Sequence, residues 1–82
     1  MNNYRKEEER RVSKGLTKQD VEIIKMICQE KTSDQIAKEL GRSVRTIEGS
    51  RLAIMKIIGV KSLVGIVTYA IRVGHFTVHI ES

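Results

Sequence analysis

Residues 33–60 read SDQIAKELGRSVRTIEGSRLAIMKIIGV, and this stretch decides the fold. Ile36, Ala37 and Leu40 form an apolar stripe at helical spacing, and Gly41 follows where a left-handed C-terminal cap is expected. Ser33 is predicted to cap this short helix, with Asp34 suited to the positive end of its dipole. Only two or three residues later, Ser43 is placed to cap a longer helix. In that helix Ile47, Ile54 and Ile58 lie on one line, with Val44 and Met55 beside them, and Gly59 ends it. A short helix, a tight glycine turn and a longer basic helix form the helix-turn-helix pattern.

Outward from this centre, the chain supplies a helix on each side. On the N-terminal side, Thr17 is the expected cap of a helix from about Lys18 to Glu30. Asp20 closes an approximate capping box, and Leu16 and Val21 are set for a hydrophobic staple. Val21, Ile24, Ile27 and Cys28 are its expected buried stripe. On the C-terminal side, residues 62–73 form a fourth helix that stops at Gly74. Its Leu63, Val64, Ile66, Val67, Ala70, Ile71 and Val73 cover most of the circumference, so more than one side requires burial. One side can face the core. A second copy of the chain is the simplest cover for the other, which makes Leu63, Val67 and Ile71 candidates for a dimer interface.

The fold class expected is therefore all-α: a four-helix helix-turn-helix domain over residues 16–76. A flexible basic arm or linker precedes it at 1–15, and a tail follows at 77–82. Glu7 and Arg11 allow a short helical stretch within the arm. Phe76, Val78 and Ile80 alternate with polar residues, as in a short strand or an ordered tail.

At 82 residues the chain suits one domain with a modest core. Tyr4, Tyr69 and Phe76 are its only aromatic residues, so the core is expected to be aliphatic. Cys28 is the single cysteine, which rules out a disulfide within the chain and argues for a reducing compartment, the cytoplasm. No apolar run approaches the roughly 20 residues of a membrane span. No nucleophile motif or phosphate-cradling glycine loop is present, so no enzyme and no cofactor are expected. His75 and His79 have the spacing of half a zinc finger but lack a paired CxxC, so they read as surface histidines and no metal site is expected.

The net charge is +5, and its placement is informative. Residues 41–62 hold Arg42, Arg45, Arg51, Lys56 and Lys61 against the single acid Glu48. Such a local basic patch suits a polyanion partner, although a solvated helix face would look similar. If the line of Ile47, Ile54 and Ile58 faces inward, the opposite face of the third helix carries Arg45, Glu48, Gly49, Leu52 and Lys56. An α-helix fits the major groove of duplex DNA, where every base pair shows its own pattern of donors and acceptors.

The base-reading candidates are Arg45, Glu48, Gly49 and Leu52. Arg45 can reach guanine, Glu48 can accept from cytosine N4, Gly49 permits close backbone approach, and Leu52 can touch a thymine methyl. Arg42, Ser43, Thr46, Arg51, Lys56 and Lys61 are candidates for phosphate contact. These assignments carry rivals: Leu52 can instead be a protein-contact residue, and Gly49 can have no role. Glu48 can instead pair with Arg45 or Arg51, each three residues away. Arg51 lies toward the apolar edge, where its stem can cover the core while its head reaches outward.

As a set, Leu16-Thr17, Ile36-Ala37-Lys38-Glu39-Leu40, Ser43-Val44-Arg45-Thr46-Ile47-Glu48 and Gly59-Val60-Lys61-Ser62 resemble the LuxR/FixJ-type DNA-binding domain of bacteria. The resemblance covers about residues 16–76. It implies a four-helix fold, DNA contact through the third helix, dimerisation largely through the fourth, and action as a transcriptional regulator. Many members are output domains of two-component response regulators, so it also implies a receiver domain or sensor partner upstream. Ser50, Glu48 and Ile57 stand where many members carry histidine, lysine and a basic residue. A sigma-factor-like promoter-binding module is a related reading. A protein-interaction module on the same fold, without DNA binding, is a rival from another class.

Overall fold

The computed structural model describes residues 15–76, which form α1 (Lys18–Cys28), α2 (Ser33–Leu40), α3 (Val44–Ile58) and α4 (Leu63–Val73). The readings made for the N-terminal arm and for residues 77–82 lie outside the described residues. No strand occurs among the described residues, and no single helix is long and apolar enough to cross a membrane.

Local chemistry sets the helix ends. The Thr17 hydroxyl accepts from the Asp20 N–H at 3.0 Å, and the Asp20 carboxylate accepts from the Thr17 N–H at 3.0 Å, so the predicted box closes. At α2 the prediction is off by one residue. Thr32, not Ser33, is the cap: its hydroxyl takes the Gln35 N–H at 3.2 Å, and the Gln35 side chain takes the Thr32 N–H at 2.8 Å. Gln35 selects Thr32 because a capping box needs its acceptor three residues after the cap. Ser43 and Ser62 cap α3 and α4 as expected.

Gly41, Gly59 and Gly74 each end a helix in left-handed backbone. At Gly41 this conformation (φ 66°, ψ 38°) reverses the chain tightly enough for α3 to begin at Val44. The first helix ends differently. It stops at Cys28 rather than near Glu30, and Glu30 itself holds the left-handed conformation at φ 63°, without glycine's freedom.

The core is one cluster drawn from all four helices, with Ile23, Ile24, Ile27, Ile36, Ala37, Ile47, Ile54, Ile66, Tyr69 and Ala70 buried. It is not wholly aliphatic: Tyr69 is the largest fully buried side chain. Its ring lies 5.9 Å from that of His75 and 5.9 Å from the Arg72 guanidinium, so the turn after α4 is packed onto it. His75 is accordingly half-buried rather than a surface residue. In α1 the buried set is Ile23, Ile24 and Ile27, while Val21 and Cys28 are half-buried. Burial pushes the Cys28 thiol above its ordinary pKa, as expected of a packing residue and not of a reactive one.

The third and fourth helices meet at a bend of 59° across residues 59–62. Gly65 lies at this corner: a Cβ placed there would come 2.6 Å from the Val60 Cβ. The close approach of α4 to the Val60 turn therefore needs a residue with no side chain.

Candidate nucleic-acid interface

Burying Ile47 and Ile54 fixes how α3 is turned. At about 100° per residue, Arg45, Gly49, Leu52 and Lys56 then point away from the core, with Glu48 on the flank. All five are exposed in the structure. Leu52 is 66% exposed, so its side chain is open to contact from outside. Around a Cβ built on Gly49 there is no atom within 4 Å, so the helix presents bare backbone there.

The phosphate candidates divide. Arg42, Ser43, Thr46, Lys56 and Lys61 are exposed around α3. The Ser43 hydroxyl accepts from the Thr46 N–H at 3.1 Å and donates to the Thr46 hydroxyl at 2.9 Å. This leaves the Thr46 hydroxyl hydrogen directed elsewhere, available to an acceptor from outside. No acid occupies the first turn of α3, in contrast to Asp20 in α1 and Asp34 in α2. The positive end of its dipole therefore stays uncompensated beside Arg42 and Arg45.

Arg51 is placed differently. It is half-buried, and its Nη1 donates to the hydroxyl of Ser33 at the start of α2. Ser33 is itself buried. Sequence reasoning missed this partnership, since a contact between positions 18 apart leaves no local signature. Neither pairing open to Glu48 forms. Among the described residues one ion pair is present, between Lys31, just before α2, and Glu39 near its C-terminal end, at 2.5 Å. Glu48 thus stands as an exposed carboxylate within a basic surface.

Beside this face runs an open groove of about 700 Å³, lined by Ile27, Val44, Glu48, Arg51, Leu63 and Val67 among others. The dimer-interface candidates Leu63 and Ile71 are exposed, and Val67 is half-buried. Val64, between the first two, is 74% exposed. The outer side of α4 is thus apolar and uncovered. No group of three or more metal-binding side chains occurs among the described residues.

The arrangement has counterparts among known proteins. Residues 14–70 match the family model of bacterial regulatory proteins, luxR family. Over 63 residues the chain is 38% identical to "Uncharacterized response regulatory protein YgeK" of Escherichia coli (strain K12). The alignment covers 77% of this chain and 43% of the relative, so the chain spans less than half the length of that protein. No solved structure matches. With the family model covering well over half of its length, and with the four helices in place, the chain belongs to the luxR family of bacterial regulatory proteins.

Proposed function

We propose that this chain binds double-stranded DNA in a sequence-specific manner as a transcriptional regulator, with α3 in the major groove. The observation that carries this reading is the outer face of α3. It combines two cations, an exposed carboxylate, a bare glycine and an exposed leucine, a mixture that a solvated surface does not call for. Arg45, Glu48, Gly49 and Leu52 address base edges. Arg42, Ser43, Thr46, Lys56 and Lys61 hold phosphates and fix the register.

The uncovered apolar side of α4 supports a homodimer through Leu63, Val67 and Ile71, reading two half-sites about one helical turn apart. The response-regulator relative supports an input from a receiver domain or a sensor partner, and a place in the cytoplasm beside the DNA follows from the same reading.

The test is selection from a pool of random duplexes, followed by titration of the enriched sequence against salt. Enrichment of a paired motif, with affinity falling steeply as salt rises, is the expected result. Absence of any salt-sensitive binding would instead favour a protein-interaction module. For the dimer, Leu63→Glu and Val67→Glu are each expected to lower the protein bound per duplex from two chains to one, read as the corresponding loss of mass in light scattering. An unchanged mass in both variants would remove α4 from the interface.

A further inference from the structure

We propose that Arg51 is a positioning residue of the recognition helix rather than a phosphate contact. Its bond to Ser33 fixes the rotation of α3 against the first turn of α2, and so the angle at which Arg45, Glu48, Gly49 and Leu52 meet a duplex. The inference rests on the DNA-binding reading above and adds to it the residue that aims the helix.

Three observations lead here. First, Arg51 lies four residues after the buried Ile47, about 40° from its direction, whereas Lys56 lies about 180° from it. The other cations of the basic segment, Arg42, Arg45, Lys56 and Lys61, are exposed, and Arg51 alone among them is half-buried. Second, its guanidinium already has a partner, the Ser33 hydroxyl. Third, that hydroxyl is free to serve. Thr32 caps α2, so Ser33 is not needed there, and Ser33 is buried, at 8% exposure. A serine buried this far cannot itself touch a duplex.

The rest of the contact between α2 and α3 is made by core side chains such as Ile36, Ala37 and Ile47. Apolar packing is non-directional and tolerates small rotations. A charge-assisted hydrogen bond is directional and does not. Joining residues 18 apart in sequence, this bond pins one rotation of the reading helix.

The test compares the parent chain with Ser33→Ala, Arg51→Met, the double variant and Arg51→Gln. Each is titrated against salt on a duplex selected from a random pool and on unselected duplex. Ser33→Ala and Arg51→Met are each expected to weaken binding to the selected duplex roughly three- to tenfold, the worth of one hydrogen bond. The double variant should be no weaker than the worse single one. The salt slope should stay unchanged, and unselected duplex should lose less. Arg51→Gln, which has no charge but still carries a donor, should recover part of the loss.

A salt slope lowered by about 0.9 in Arg51→Met, with Ser33→Ala inert, would make Arg51 a phosphate contact and overturn the proposal. Equal losses on selected and unselected duplex would also overturn it, by reducing the bond to general stability. Failure of the parent chain to bind any duplex would instead bring down the DNA-binding reading itself. That is distinguishable from a parent that binds while Ser33→Ala binds equally well.

Discussion

Gly49 and Gly65 both stand inside helices, where glycine costs about 1 kcal/mol relative to alanine. Their surroundings are opposite. A Cβ at Gly65 would press on the Val60 Cβ at 2.6 Å, whereas one at Gly49 would meet nothing within 4 Å. The first glycine is explained inside the molecule, because the corner between α3 and α4 closes only if that position is bare. The second has no internal explanation. Helix stability is given up there on an open surface, which is what the proposed close approach of a duplex to α3 would use. One residue type thus meets opposite surroundings in two regions, a closed corner and an open face.

The largest effect is expected at the corner. Gly65→Ala should destabilise the fold by about 1–3 kcal/mol, as overpacking does, read as a lowered thermal midpoint. Adding Val60→Ala should not restore it, since the obstruction is the Val60 Cβ that alanine retains. Recovery in the double variant would mean that the corner is looser than its geometry implies.

Glu30 supplies the converse case, a side chain where the backbone favours none. Glu30→Gly should stabilise the domain by up to about 1 kcal/mol by relieving the left-handed strain. An unchanged denaturation midpoint would show that the Glu30 turn is not strained.

Gly49→Ala sharpens the comparison directly. The fold should gain up to about 1 kcal/mol in helix propensity while duplex affinity falls. A variant that is more stable and binds equally well would leave Gly49 with no external role. The smallest effect belongs to Lys56, on the same face. Lys56→Gln should lower affinity for all sequences alike and reduce the salt slope by about 1. A loss confined to some sequences would move Lys56 among the base readers.

Much of this was legible because helix punctuation is local chemistry. The Thr17–Asp20 box, the Ser43 and Ser62 caps and the three terminal glycines each act within four residues of their own position. Where two hydroxyls stand side by side at Thr32 and Ser33, the choice turned on Gln35, which a closer reading of the S/T-x-x-Q pattern would have found. The exposed face of α3 was legible from the spacing of its isoleucines alone. The burial of Ile23 in α1 was not, because α1 packs against both α3 and α4, and single-stripe periodicity does not anticipate two neighbours. The Arg51–Ser33 bond was hidden for the same reason: it exists only once α2 and α3 are assembled.

The eight residues of α2 have a consequence for how any variant of this protein should be understood. A helix that short falls below the roughly 12–15 residues at which isolated helices become even marginal in water, so α2 persists only while docked on its neighbours. The helix-turn-helix pair therefore forms together with the core on which α2 docks. A change in the core, at Ile36 or Tyr69 for instance, acts as a dilution. It should lower the folded fraction and raise the apparent Kd of the proposed duplex binding accordingly, while leaving sequence preference and salt slope unchanged.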